Sequence, residues 1–133
     1  MKKLLLIWLF ALLLIACSRI SGKENLETIA EIQLPQGFSV INENYQKSGQ
    51  DFFFQYDIKF DKDSTLQMVV QIQSSKYYSK QGAQLMYDSV WYVDDNLYKF
   101  EARRQDDDKT YHITFNPATG VLNYVEYSQR MRM

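Results

Sequence analysis

Hydrophobic and polar residues alternate most clearly in the segment 52–60. Its even-numbered positions are all apolar and its odd-numbered positions are mostly polar; the apolar set is Phe52, Phe54, Tyr56, Ile58 and Phe60. A two-residue period with many aromatic side chains is typical of a β-strand that is buried on one face. The pattern therefore predicts a strand whose Phe54, Tyr56 and Ile58 point towards the core.

The same period returns in the second half of the chain, where short groups of turn-forming residues interrupt it. The predicted strands are 89–93, 97–104, 111–115 and 121–127, and the predicted turns are Asp94-Asp95-Asn96, Asp106-Asp107-Asp108-Lys109 and the loop 116–120. Asp and Asn tolerate the positive φ that tight hairpin turns require. Consecutive strands joined by short turns form an antiparallel meander with one packed face and one wet face.

The segment Leu66–Ser75 fits two interpretations. Its even-numbered apolar residues alternate as in a strand, whereas Leu66, Val69 and Val70 share one side of a helix. The Asp, Ser and Thr residues in 61–65 are good helix N-caps, and they favour the helix. Both interpretations stay open at this point.

Two shorter segments complete the predicted fold. Residues 24–30 fit a helical turn or two, with Leu26, Ile29 and Ala30 on one side, and 38–41 fits a short edge strand. We therefore expect an α+β fold: an antiparallel meander sheet of five or six strands with one helix packed on one face. The alternative is an all-β sandwich or small barrel, which would require Leu66–Ser75 to be a strand.

The N-terminal residues have the organisation of an export signal. Met-Lys-Lys is followed by an uncharged apolar run from Leu4 to Ala16. A positive start and an apolar run of about a dozen residues are typical of secretory signals. A membrane-spanning helix needs about 20 apolar residues, so this run is too short to be one.

The end of that run, Leu14-Ile15-Ala16-Cys17, resembles the lipobox of bacterial lipoproteins, and the resemblance covers residues 1–18 only. It implies that 1–16 is a signal peptide that is removed, and that acylated Cys17 anchors the chain to a lipid bilayer. Two or more acyl chains hold a soluble domain stably at a membrane. We then expect 17–24 to be the lipidated cysteine with a flexible tether, and 25–133 to be a single globular domain. The alternative is an ordinary secretory signal that happens to end in cysteine.

The residue after the cysteine carries information about sorting. It is Ser18, whereas Asp at this place favours inner-membrane retention in lipoproteins of the enterobacterial type. The resemblance therefore implies an outer-membrane location facing the periplasm, in a host that sorts by that rule.

Composition narrows the classes of partner. The chain has 15 Lys+Arg against 16 Asp+Glu and a formal net charge of −1, without a long basic run. Since clustered cations dominate phosphate binding, we do not expect a nucleic-acid partner. Cys17 is the only cysteine, which excludes a disulfide within the chain.

The polar residues do not form a recognisable catalytic or metal-binding pattern. The only histidine, His112, falls on the predicted wet face, and no Ser lies in a recognisable nucleophile setting. The clusters Asp106-Asp107-Asp108 and Asp61 with Asp63 lack the spacing and distal Glu of a calcium loop, so we assign them to turns and helix caps. We expect no catalytic residues, no metal and no cofactor.

Aromatic residues are the most unusual feature of the composition: ten Tyr, eight Phe and two Trp. Tyr suits contact surfaces because it offers apolar area with a hydrogen-bonding tip. The candidate partner-contact residues are Trp91, Tyr92, Tyr77 and Tyr78. Trp91 and Tyr92 are adjacent in a predicted strand, so at least one of them faces away from the core.

These observations favour a non-enzymatic envelope lipoprotein that binds a protein partner. Inhibitor or immunity proteins against wall-degrading toxins, and accessory subunits of envelope machines, share its size and expected location. The alternative is a carrier or sensor of a small apolar or sugar ligand held between sheet and helix.

Overall fold

The structure is a computed structural model that describes residues 22–49, 51–80, 89–104 and 109–128. Helix α1 is Gly22–Ala30 and helix α2 is Lys62–Gln73. The strands are β1 Phe38–Ser48, β2 Asp51–Phe60, β3 Ser89–Asp94, β4 Leu97–Arg104, β5 Lys109–Asn116 and β6 Val121–Ser128. The predicted signal peptide, Cys17 and the predicted turn at Asp106-Asp107-Asp108 lie outside the described residues.

The six strands form one antiparallel sheet in the order β1-β2-β6-β5-β4-β3. Strands β3 to β6 are the predicted meander, and the β1–β2 hairpin joins it through the pairing of β2 with β6. The α+β prediction is confirmed, and Leu66–Ser75 is helical as far as Gln73. The all-β alternative is therefore wrong, and two helices are present where one was expected.

One face of the sheet, the inner face, forms the core with both helices. A continuous row of large side chains crosses it in register: Trp91, Phe100, Ile113, Tyr124 and Tyr56. All five are buried and belong to a single hydrophobic cluster that also contains side chains from both helices. The inward orientation predicted for β2 is confirmed: Tyr56 and Ile58 are buried, and Phe54 is half-buried and packs against the same cluster.

Helix α1 packs against this row from its first residue. Leu26, Ile29 and Ala30 are buried on one side of the helix, as their spacing predicted. Gly22 is buried too, and a Cβ there would lie 2.7 Å from the Tyr56 ring. Residues 22–24 were expected to belong to the flexible tether, but they form the first turn of α1. The expected boundary of the tether at residue 24 is therefore wrong.

Helix α2 begins at the cap that the sequence predicted. The Asp61 carboxylate accepts a hydrogen bond of 2.7 Å from the Ser64 backbone N–H, which satisfies one of the free donors of the first turn. Met68 and Ile72 are fully buried, while Leu66 and Val70 on the opposite side are exposed. The helix is amphipathic because only one of its sides meets the sheet.

The hairpin turns follow the chemistry of their residues. Asp95 and Asn96 connect β3 to β4 and have φ values of 53° and 61°, as a tight two-residue turn requires. Gly120 closes the β5–β6 loop with φ 75°, and its carbonyl accepts a hydrogen bond of 2.9 Å from the Phe60 N–H. This bond ties the loop to the end of β2.

The opposite, outer face of the sheet carries mostly polar and half-buried side chains. None of the helices that the structure describes packs on it, since the buried residues of α1 and α2 belong to the cluster on the inner face. Within the same described ranges, neither helix has the length and apolar character needed to cross a bilayer.

Candidate functional site

Four side chains on the outer face form a connected line across β3, β4, β5 and β6, which we call the outer-face row: Tyr92, Glu101, His112 and Tyr127. The Tyr92 hydroxyl donates to Glu101 Oε1 at 3.0 Å. His112 Nδ1 lies 3.9 Å from the same carboxylate oxygen, and its Nε2 lies 3.2 Å from the Tyr127 hydroxyl. The row therefore combines aromatic area with hydrogen-bonding groups.

The two rings at the β6 end of the row lie nearly parallel. The His112 and Tyr127 centroids are 5.8 Å apart with an interplanar angle of 11°. Both side chains are half-buried, and their neighbours in the sheet restrict them. Such restriction matters for recognition because side chains that are already ordered lose little conformational entropy when they bind.

The Tyr92 hydroxyl is held in its neutral, donating form. Burial raises its pKa to about 12, and the hydrogen bond to Glu101 and the negative charges of Glu101 and Asp94 add to the effect. Tyr92 therefore keeps its proton through the physiological pH range and presents a fixed O–H donor to Glu101.

A second polar cluster lies on the same face towards β1. The Asp57 carboxylate accepts hydrogen bonds from Gln55 at 2.9 Å, from Asn42 at 3.4 Å and from the amide of Asn123. These side chains use much of their hydrogen-bonding capacity on one another. We therefore assign the cluster a structural role: its hydrogen bonds link β1, β2 and β6.

The four aromatic residues predicted to contact a partner occupy three different environments. Trp91 lies on the inner face with 0% of its surface exposed, so it is a core residue and its assignment as a contact residue is wrong. Tyr92 lies on the outer face, and the prediction that this pair points in opposite directions is confirmed. Tyr77 and Tyr78 are half-buried beside β3.

The segment that carries Tyr77 and Tyr78 lies along the free edge of β3. The Trp91 N–H donates to the Tyr77 carbonyl and the Ser79 N–H donates to the Trp91 carbonyl, both at 2.8 Å. The Tyr77 ring packs 6.1 Å from Phe100. This packing and the backbone bonds give the segment a structural role in closing the edge.

Asp61, Asp63 and the only histidine lie where the sequence predicted. Asp61 caps α2 and Asp63 lies in its first turn. His112 is on the outer face, as expected. In the part of the chain that the structure describes, no three His, Cys, Asp or Glu side chains come close enough together to hold a metal ion.

A shallow groove of about 800 Å³ lies between α2 and the segment 33–37. Leu34, Leu66 and Val70 contribute apolar surface to it, and Asp61 and several Gln side chains contribute polar groups. The groove lies beside the helix and not between helix and sheet. It therefore does not match the site expected for a small-ligand carrier.

One carboxylate is buried on the inner face. Glu126 Oε2 accepts a hydrogen bond of 2.8 Å from the Tyr124 hydroxyl, and Lys109 Nζ lies 3.4 Å from Glu126 Oε1. The same ammonium group lies 4.8 Å from the centre of the Phe52 ring. A buried carboxylate with both a hydrogen bond and an ion pair is compensated, and we assign it a structural role.

The outer-face row could not be recognised as a unit from the sequence. Tyr127, Glu101 and His112 each fall on the wet face of their strand, but only the pairing of β5 with β4 and β6 brings them together. The sequence did indicate that Tyr92 points outward and that its strand belongs to an antiparallel meander. Without the registers, the neighbours of Tyr92 could not be assigned.

No protein-family model, no curated protein and no solved structure matches this chain.

Proposed function

We propose that this chain is a small lipoprotein of the bacterial cell envelope, anchored through acylated Cys17, whose domain binds a protein partner without catalysis. The partner belongs to the class of an inhibited enzyme or an envelope complex that recruits accessory subunits. The proposed location is the outer membrane, facing the periplasm. The lipobox resemblance supports the anchor, and the outer-face row supports the binding role.

The observation that carries the binding role is the outer-face row itself. Tyr92, His112 and Tyr127 present aromatic area and hydrogen-bonding groups on a side of the sheet that neither described helix packs on. Aromatic side chains are enriched at the centres of protein interfaces, where they combine apolar contact with specific hydrogen bonds. A row fixed on strands also keeps its geometry when a partner arrives.

The start of α1 limits the distance between the anchor and the domain. Residues 18–21 are all that separates Cys17 from Gly22, and Gly22 is already packed against Tyr56. A fully extended chain spans at most about 3.5 Å per residue, so this connection reaches at most about 18 Å. A lipid-anchored domain of this kind binds partners close to the membrane surface.

Two experiments test the two parts of the proposal separately. Cells that express the full chain are labelled with radioactive palmitate, and the label is expected in the wild type and absent in Cys17→Ser. If Cys17→Ser keeps the label, or the wild type stays unlabelled, the anchor is wrong. A photo-crosslinking residue at position 127 of the full chain tests the binding role in intact envelopes.

The crosslinking experiment has a matched control on the same face. Lys59 is exposed at the end of β2 and lies outside the row, so a crosslinker at position 59 should give little of any product seen from position 127. Tyr92→Ala should reduce the product from position 127 about tenfold if Tyr92 is a hot spot. Equal products from both positions, or a yield unaffected by Tyr92→Ala, would refute the proposed surface.

A further inference from the structure

The two edges of the sheet differ in how they are protected. The β3 edge is bonded to the segment around Tyr77 through Trp91. The β1 edge ends the sheet, and no other strand within the described residues pairs with it. Long exposed edges offer unpaired N–H and C=O groups to another strand, and proteins usually shorten or cover them. At 11 residues, β1 is the longest strand of the fold.

Only part of β1 has regular geometry. The register with β2 shifts between Val40 and Asn42, which places a bulge at Ile41. From Asn42 to Ser48 the pairing with β2 is continuous, so this stretch presents a regular outer edge. Its central residue is Tyr45, which is 60% exposed.

We infer that β1 is a self-pairing edge, and that two copies of the chain join by antiparallel pairing of residues 42–48 about a twofold axis at Tyr45. The strands of both copies then form one continuous sheet. The kind of partner that this surface fits is therefore a second copy of the same chain.

The charges on β1 support this register. Glu43, Tyr45 and Lys47 project from the same face of the strand because side chains alternate along it. With the twofold axis at Tyr45, Glu43 of each copy lies opposite Lys47 of the other, and the two exposed Tyr45 rings meet between these pairs. Opposite charges in directly facing positions stabilise strand pairing, and aromatic pairs do so as well.

Neighbouring registers lose this complementarity. With the axis at Asn44, Glu43 faces Tyr45 and Lys47 faces the bulged Ile41. With the axis at Gln46, Lys47 faces Tyr45 and Glu43 falls beyond the regular stretch. Charged residues on an edge normally discourage pairing with other chains. Here they favour one self-pairing register over the alternatives.

The symmetry also agrees with a membrane anchor. Residues that face each other in an antiparallel pair project to the same side, so the inner faces of the two copies lie on one side of the joined sheet. Gly22 packs on the inner face against Tyr56, which pairs with Glu43 close to the axis. At a strand spacing of about 4.8 Å, the two copies of Gly22 are on the order of 20 Å apart. Both proposed anchors then enter the same membrane.

Disulfide formation in the full chain tests the register. Tyr45→Cys should give a dimer on a non-reducing gel after mild oxidation, because the two copies of residue 45 are directly opposed. Asn44→Cys, one position away on the same strand, and the wild type should remain monomeric on the same gel. A dimer from Asn44→Cys instead, or a product that joins Tyr45→Cys to a different protein, overturns the proposed pairing.

Charge reversal tests the same pairing without cysteines. Glu43→Lys and Lys47→Glu each place two like-charge pairs at the junction and should weaken dimerisation of the detergent-solubilised full chain about tenfold in sedimentation equilibrium. The double variant E43K/K47E restores the opposite-charge pairs and should recover the wild-type constant. Both residues are exposed, so the domain is expected to fold in every variant. Monomeric wild type, or a double variant as weak as the singles, refutes the inference.

Discussion

Replacement by alanine should destabilise the domain far more at Trp91 than at its neighbour Tyr92, because Trp91 belongs to the core and Tyr92 to the surface. Trp91 is 0% exposed and its ring lies 5.1 Å from that of Phe100. A buried Trp removes about 200 Å² from water, which at about 25 cal/mol per Å² gives about 5 kcal/mol. Measured large-to-small core replacements agree at about 3–5 kcal/mol.

Trp91→Ala should therefore lower the free energy of unfolding by about 3–5 kcal/mol, a large share of the 5–15 kcal/mol typical of a domain. Tyr92→Ala loses one surface hydrogen bond to Glu101 and should cost about 1 kcal/mol. Urea unfolding measures the free energy of unfolding of both variants. It is followed by circular dichroism and not by fluorescence, because Trp91→Ala removes a fluorophore. Equal losses, or a loss below about 1 kcal/mol for Trp91→Ala, would refute the assignment of Trp91 to the core.

Two further predictions concern the helix cap at Asp61 and the phenol proton of Tyr92. Asp61→Ala removes the acceptor of the Ser64 N–H and should destabilise the domain by about 1 kcal/mol. Asp63→Ala, in the same turn of the helix, should cost less than half of that. Equal losses of the two variants in urea unfolding would contradict the capping role of Asp61. In spectrophotometric titration, Tyr92→Phe should remove a phenol that ionises at about pH 12, and Glu101→Gln should lower the pKa of Tyr92 without returning it to 10, because burial is the largest cause of the shift. Because the pKa of Tyr92 is higher in the folded than in the unfolded protein, its contribution to the free energy of unfolding is fully present below pH 10. This contribution should be lost as the pH rises through 12. An unchanged titration curve for Tyr92→Phe would contradict the raised pKa of Tyr92.

The parts of the fold that follow from the sequence are those elements in which one face is buried and the other is exposed. In β2 and the meander, alternation reports directly on the inner face, and the Asp95-Asn96 turn follows from the residues that tolerate positive φ. Helix α2 was the ambiguous element, since its apolar residues fit two periods. Its capping residue, Asp61, favoured the correct interpretation.

Strand β1 was predicted only for 38–41, although it continues to Ser48. Its residues 42–44 are Asn, Glu and Asn, which have low strand propensity, and both of its faces are largely exposed. Hydrogen bonds with β2 overrode these local preferences. The outer-face row was missed for a related reason: its members are far apart in sequence, and registers that no local pattern reveals bring them together.

The closed edge at β3 has a consequence for assembly. A sheet with two accessible edges can add strands at both ends and grow without limit, as in fibrils. In this domain the backbone N–H and C=O of Trp91 already bond to the segment that carries Tyr77, so the middle of β3 is not open to another strand. Two copies joined along β1 would therefore each present an outer β3 edge whose centre is already bonded, which disfavours the addition of further copies.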